Sequence, residues 1–116
     1  MEISNKKIVI IGNQWITQYL VNKLIDNKIK PFLIISSAVK NSEQTSGYAN
    51  LKNLAKKYNI NYFIADNFDI SDEIVNKVKK LSLDLAIVFG WQRLVPQNFI
   101  KALNGNIFGI HGGPFK

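Results

Sequence analysis

His111 is the residue with the clearest chemical potential, and it is the one histidine of the sequence. It follows an apolar run that ends at Ile110 and precedes the dipeptide Gly112-Gly113. An imidazole exchanges protons near neutral pH, and glycines let a ligand approach the backbone closely. A purely structural histidine is the alternative, but a position at the end of a predicted buried strand favours an active-site role.

A second group of candidate residues follows the apolar run Leu85–Phe89. Gly90 breaks this run, and the loop that begins there is predicted to expose Trp91 and Arg93 to solvent. Apolar and cationic side chains at the end of a buried strand are typical of ligand-binding loops. We therefore interpret this loop as part of the same site as His111.

A third candidate turn contains Gly12 and Asn13, again directly after an apolar run. The next glycine is Gly47, so neither the dinucleotide fingerprint nor the Walker A loop is present. NAD or ATP binding is therefore not predicted. Gly12 is either a glycine that lets a ligand approach or a plain tight-turn residue, and Trp15 in the same turn is interpreted as a cap on the core.

Apolar runs alternate with helical periods along the whole chain, which predicts strands and helices in strict alternation. The strands are predicted at Lys6–Ile11, Phe32–Ile35, Tyr62–Ala65, Leu85–Phe89 and Asn106–Ile110. The helices are predicted at Gln14–Asn27, from Leu51 to Asn59, after the N-cap Ser71, and from Pro96 as first helical residue to a left-handed exit at Asn104-Gly105. The polar segment Ser36–Gly47 has no period and is predicted to be a mobile loop.

This alternation predicts an α/β fold with a parallel sheet and right-handed crossovers. The simplest arrangement is a Rossmann-like three-layer sandwich with a mostly parallel five-stranded sheet in the order 3-2-1-4-5. In that order the first and fourth strands are neighbours, and ligands bind where such neighbours end. The turns that contain Gly12, Gly90 and His111 are then expected to line one crevice.

The length of 116 residues predicts one domain spanning residues 1–116. A hydrophobic content of 47% and a charged content of 20% are ordinary for a globular protein, and no apolar run approaches the length of a membrane span. The sequence begins in a strand-like run without signal-peptide features and contains no cysteine. A cytoplasmic location and a site without metal are therefore predicted.

The formal net charge of +7 raises the question of nucleic-acid binding. Arg93 is the single arginine among the 15 basic residues, and the lysines are spread along several predicted helices. A nucleic-acid surface usually clusters arginine and lysine with interleaved aromatic residues. Dedicated nucleic-acid binding is therefore not predicted, although a weak attraction for anionic substrates is.

Several segments together resemble the N-terminal catalytic domain of the folate-dependent formyltransferases. They are Gly47–Lys56, Leu83–Trp91 with Leu94–Pro96, and Gly109–Gly112. This family includes glycinamide ribonucleotide, methionyl-tRNA and sugar-nucleotide N-formyltransferases, and it transfers a formyl group from 10-formyltetrahydrofolate to a primary amine. The resemblance covers nearly the whole chain and is strongest at the Trp91 loop and His111.

The resemblance implies a role for each candidate residue. The loop after the fourth strand would cradle the pterin of 10-formyltetrahydrofolate through Phe89, Gly90, Trp91, Arg93, Leu94 and Val95. His111 would stabilise the oxyanion and help to move the proton as the amine attacks. Contacts to the amine substrate would come from Gly12, Asn13, Gly112 and Gly113.

The sequence departs from the family pattern at two of its catalytic positions. Gly109 stands where the family usually has an asparagine, and no residue up to Lys116 corresponds to the family's downstream aspartate. We therefore expect a domain that is incomplete at its C-terminus and a chain that alone turns over far below about 1 per second. The fifth strand would then be an uncovered edge, which predicts a homo-oligomer.

Three functional interpretations follow from these observations. The first is a formyltransferase acting on an amino-sugar nucleotide, with tRNA as a partner only in the methionyl-tRNA case. The second is a folate- or nucleotide-binding module without catalysis. The third is a Rossmann-like scaffold for protein association, and ligand titration and turnover assays separate the three.

Overall fold

The computed structural model describes residues 5–37, 49–65, 69–91 and 94–110. Strands and helices alternate in it as β1 (Ile8–Ile11), α1 (Trp15–Asp26), β2 (Leu33–Ser37), α2 (Leu51–Tyr58), β3 (Asn61–Ala65), α3 (Asp72–Leu81), β4 (Leu85–Phe89), α4 (Gln97–Ala102) and β5 (Ile107–Ile110). The strands form one sheet in the order β3-β2-β1-β4-β5, and each neighbouring pair is parallel. The predicted Rossmann-like topology is thereby confirmed.

The register of the sheet brings three strand ends to the same level. Ile11 at the end of β1 pairs with Val88 of β4, and Phe89 at the end of β4 pairs with Ile110 of β5. The turn after β1 and the loop after β4 are therefore neighbours at the carboxyl edge of the sheet. This edge is the place where open parallel sheets bind ligands.

The hydrophobic core consists of two layers, one on each face of the sheet. Val9, Ile11 and the apolar face of α3 contribute to one layer, whereas Ile8, Ile10 and the apolar face of α2 contribute to the other. All of β1 is inaccessible to solvent because β2 and β4 flank it and helices cover both its faces. A continuous apolar run is what such a central parallel strand requires.

Local sequence signals explain where most helices begin and end. The Ser71 hydroxyl accepts a hydrogen bond from the backbone N–H of Ile74 (3.4 Å) at the start of α3, as its prediction as an N-cap required. Asn59 ends α2 in the left-handed conformation. Asn104 and Gly105 after α4 also have positive φ, which confirms the predicted left-handed exit.

Three of the local predictions were wrong. Pro96 is the extended N-cap residue of α4, not its first helical residue, since its ψ is 153° and the helix begins at Gln97. Ser36 and Ser37 are buried residues of β2, not part of the polar loop, because hydrogen bonding to β3 continues through them. The remainder of that loop falls outside the described residues. Trp15 does not cap the core, because 62% of its surface is exposed.

Within the described ranges, no helix is both long enough and apolar enough to cross a membrane.

Candidate functional site

Two loops meet at the carboxyl edge of the sheet and are joined by backbone hydrogen bonds. The Asn13 N–H donates to the carbonyl oxygen of Gly90 (3.0 Å), which ties the turn after β1 to the loop after β4. The Gly12 N–H donates to the carbonyl oxygen of Ile35 in β2 (3.1 Å). The structure therefore brings Gly12, Asn13 and Gly90 together, as the predicted strand order required.

Thr17, in the first turn of α1, is packed into the junction between these loops. Its side chain is fully buried, and its hydroxyl donates a hydrogen bond to the carbonyl oxygen of Phe89. A Cβ added to Gly12 would overlap both that carbonyl oxygen and the Thr17 side chain, and a Cβ on Gly90 would overlap the Thr17 hydroxyl. Internal packing is therefore a sufficient reason for glycine at both positions, whether or not a ligand also approaches them.

Asn13 connects several segments around the same edge. Its side chain is fully buried, its amide nitrogen Nδ2 donates to Ser37 Oγ (2.7 Å), and its backbone carbonyl accepts from the Ala49 N–H (2.9 Å). Its amide oxygen Oδ1 has no hydrogen-bond donor among the residues that the structure describes. Asn13 therefore holds the ends of β1 and β2 together.

The loop after β4 presents a different surface from the one predicted. Trp91 is not exposed: only 8% of its surface is accessible, and it belongs to the same core cluster as Val95 and Phe99. Leu94 is instead the exposed apolar residue of this loop, with 65% of its surface accessible. Leu94, and not Trp91, is therefore the large apolar side chain that this loop exposes to solvent.

The remaining candidate residues, His111, Gly112, Gly113 and Arg93, lie outside the described residues. The described part of β5 nevertheless ends at Ile110, level with Phe89, and His111 is the next residue of the chain. Asp84 lies at the opposite edge, where its carboxylate accepts from the Lys7 N–H (2.7 Å). No group of three His, Cys, Asp or Glu side chains in the described ranges could hold a metal ion.

The sequence alone did not identify Thr17 and Ser37 as residues that shape this edge. Thr17 is the third residue of α1, where a threonine close to a helix start is a common, uninformative feature. The sequence pattern predicts a loop at Ser37 because serine and the polar residues after it carry no strand pattern. Only the tertiary contacts to Phe89 and Asn13 distinguish these hydroxyls from ordinary surface residues.

The amino-acid sequence of the chain is similar to those of known proteins. Residues 6–113 match the sequence family described as "Formyl transferase". A methionyl-tRNA formyltransferase from Blochmanniella pennsylvanica (strain BPEN) is 32% identical over 65 residues, which cover 56% of this chain and 20% of that protein.

Solved structures show the same architecture. A glycinamide ribonucleotide transformylase 1 from Geobacillus kaustophilus superposes with a TM-score of 0.69 at 16% identity, over 91% of this chain and 57% of that one. A phosphoribosylglycinamide formyltransferase from Streptococcus pneumoniae TIGR4 gives a TM-score of 0.67 at 18% identity, over 91% and 56% of the two chains. The chain thus spans little more than half of these solved proteins. Because the family match extends over nearly the whole sequence, we conclude that the chain belongs to the formyl transferase family.

Proposed function

We propose that this chain supplies the donor-binding loop and the catalytic histidine of an enzyme that moves a formyl group from 10-formyltetrahydrofolate to a primary amine. The observation that carries the proposal is that the family match spans both the loop after β4 and His111. The level ends of β1, β4 and β5 support it, because they create one edge at which donor and acceptor can meet. A cytoplasmic location belongs to the same proposal.

Each part of the edge has a chemical task in this proposal. Phe89, Gly90 and Leu94 would offer apolar and backbone surface to the flat pterin, together with Arg93, whereas the buried Trp91 and Val95 would hold the loop in place. The amine nitrogen attacks the formyl carbon, and His111 would stabilise the resulting oxyanion and help to transfer the proton released by the amine. The bond between the formyl carbon and the folate nitrogen then breaks, and this nitrogen takes up the proton lost by the amine, so tetrahydrofolate leaves.

The acceptor amine that we propose is that of an amino-sugar nucleotide. Gly12, Asn13, Gly112 and Gly113 would contact it, and the turn from Gly12 to Trp15 lacks the glycine and serine pattern of the glycinamide ribonucleotide enzymes. The similarity to a methionyl-tRNA formyltransferase favours a second candidate, the amino group of an aminoacyl-tRNA. Formyl transfer assays with each acceptor at equal concentration distinguish the two.

A folate titration tests the donor-binding half of the proposal. In a Trp15→Phe variant, the remaining tryptophan is Trp91, which lies in the loop that should contact the pterin. We expect 5-formyltetrahydrofolate to change its emission saturably. Leu94→Ala in this background should weaken binding by about fivefold to tenfold, because the exposed apolar contact to the heterocycle is lost.

The control for this titration is Ile64→Ala, which removes a similar exposed apolar side chain from β3, three strands across the sheet from β4. Folate affinity should not change in that variant. An emission that does not saturate, or an equal loss of affinity in both variants, would contradict folate binding at the loop after β4. Saturable binding without any turnover would leave the non-catalytic folate-binding interpretation.

We also propose that β5 mediates self-association. This strand is the outer strand of the described sheet beyond β4, and 60% of the Phe108 surface on it is exposed. An apolar edge without charge or proline tends to pair with another chain. Light scattering should give a mass above that of one chain, and Phe108→Lys should lower it. A monomer at high concentration for the unmodified chain would refute this proposal.

A further inference from the structure

A cleft of about 830 Å³ lies along the outer side of β3, on the opposite side of the sheet from β4 and β5. Its charged lining residues are Lys52, Lys56, Asp69, Glu73 and Lys77, and Phe63 and Ile64 of β3 lie at its base. The helices that line it, α2 and α3, cover opposite faces of the sheet, as their membership of different core layers shows. The cleft therefore extends around the edge of the sheet, with β3 at its base and one helix on each side.

The base of this cleft is a sheet edge that can accept another strand. In the described sheet β3 pairs with β2 alone, so no described strand lies against its outer side. The strand from Asn61 to Ala65 contains neither a charge nor a proline, and 46% of the Ile64 surface is exposed. Charged residues and proline usually protect the edge strands of natural sheets from pairing, and an edge without them is a site for strand addition.

The two walls of the cleft differ in charge. The α2 wall contributes Lys52 and Lys56, and α2 contains no acidic residue. The α3 wall contributes Glu73 together with Lys77, whose ammonium group lies 5.3 Å from the centre of the Phe63 ring. The charged residues of the α2 wall are therefore all basic, whereas the α3 side, with Asp69 just before the helix, combines opposite charges with an aromatic surface.

An extended chain lying on β3 would direct alternate side chains toward these two walls. Side chains that face α2 would meet Lys52 and Lys56, so acidic residues at every second position complement that wall. A second copy of this chain fits less well. If two copies paired their β3 strands antiparallel about a two-fold axis, the α2 helices of both copies would lie on the same face of the joined sheet. The lysines of one α2 would then face those of the other and repel them.

We propose that the outer edge of β3 binds, by strand addition, an extended segment of a partner protein that carries acidic residues at alternate positions. This binding is independent of formyl transfer, because the cleft lies along β3 and the transfer site lies at the ends of β1, β4 and β5. The backbone hydrogen bonds of the added strand supply affinity, and the lysine wall selects acidic side chains.

A fluorescein-labelled peptide that alternates glutamate and threonine is a direct probe, with binding to the chain followed by fluorescence anisotropy. We expect saturable binding and amide NMR shifts concentrated in β3. A peptide with lysine in place of glutamate should not bind. A glutamate peptide with methylated backbone nitrogens should also fail, because it cannot donate the hydrogen bonds of an added strand.

The test variant combines Lys52→Glu with Lys56→Glu and reverses the charge of the α2 wall. The matched control combines Lys57→Glu with Lys79→Glu, which changes the net charge equally at exposed positions outside the cleft. The first pair should weaken binding about tenfold and the second by less than about twofold. The proposal would be overturned if both double variants weakened peptide binding equally or if the methylated peptide bound. It would also be overturned if the NMR shifts in β3 depended on protein concentration alone.

Discussion

Replacing Gly90 with alanine is expected to destabilise the chain far more than replacing Gly105 with alanine. Both glycines have nearly the same backbone conformation, with φ of +77° and +78°. A Cβ on Gly90 overlaps the buried Thr17 hydroxyl, whereas a Cβ on Gly105 has no described atom within 4 Å. The comparison therefore separates the cost of positive φ, about 1–2 kcal/mol, from the cost of the overlap. We expect a total of about 3 kcal/mol or more at Gly90.

Urea unfolding of both variants measures this difference in free energy directly. A Thr17→Ala background provides the control, because it removes the hydroxyl that the new Cβ meets while leaving φ unchanged. In that background the difference between the two alanine variants should shrink. Equal destabilisation of Gly90→Ala and Gly105→Ala in the unmodified background would show that Thr17 is not packed against this loop.

Trp91→Ala is expected to have a comparably large effect on stability. Burial of Trp91 in the core cluster with Val95 and Phe99 means that truncation removes a large apolar surface and leaves a cavity. Such truncations cost about 3–5 kcal/mol, against a total stability of about 5–15 kcal/mol for a typical domain. The matched control is Trp15→Ala, which should change stability by less than about 0.5 kcal/mol because its side chain is exposed.

Binding experiments on Trp91→Ala therefore need a measurement of its stability beside them. Loss of folate binding in Trp91→Ala would report local unfolding as readily as a lost ligand contact, whereas Leu94→Ala leaves the core intact. Thermal unfolding of the two tryptophan variants, side by side, checks the premise. If Trp91→Ala and Trp15→Ala melted at the same temperature, Trp91 would not be part of the core.

The sequence predicted the fold well because the fold depends on local patterns. β1 and β4 are continuous apolar runs, and the positive φ of Asn104 and Gly105 follows from their residue types. The burial of Trp91 could not be predicted in the same way. A glycine followed by a tryptophan is as typical of an exposed loop as of a buried one. Trp91 is buried because α4 packs against the sheet beside it, a tertiary contact that the local sequence does not show.

The candidate site was predicted to a smaller extent. The meeting of Gly12, Asn13 and Gly90 follows from the strand order, which the sequence predicts as the simplest arrangement of alternating strands and helices. The requirement for glycine at positions 12 and 90 could not be predicted from strand order. It arises because Thr17, which is distant in sequence from Phe89, packs against both glycines. The roles of His111, Gly112, Gly113 and Arg93 stay predictions.

The strand order also has a kinetic consequence for this edge. The contact between Asn13 and Ser37 closes a loop of 24 residues, whereas that between Thr17 and Phe89 closes one of 72. By the logarithmic dependence of loop entropy on length, the longer closure costs about 1 kcal/mol more. The β1-α1-β2-α2-β3 half can therefore assemble before β4 docks against β1. We expect the junction of Gly12, Thr17 and Gly90 to form late in folding, so substitutions there should accelerate unfolding more than they slow folding.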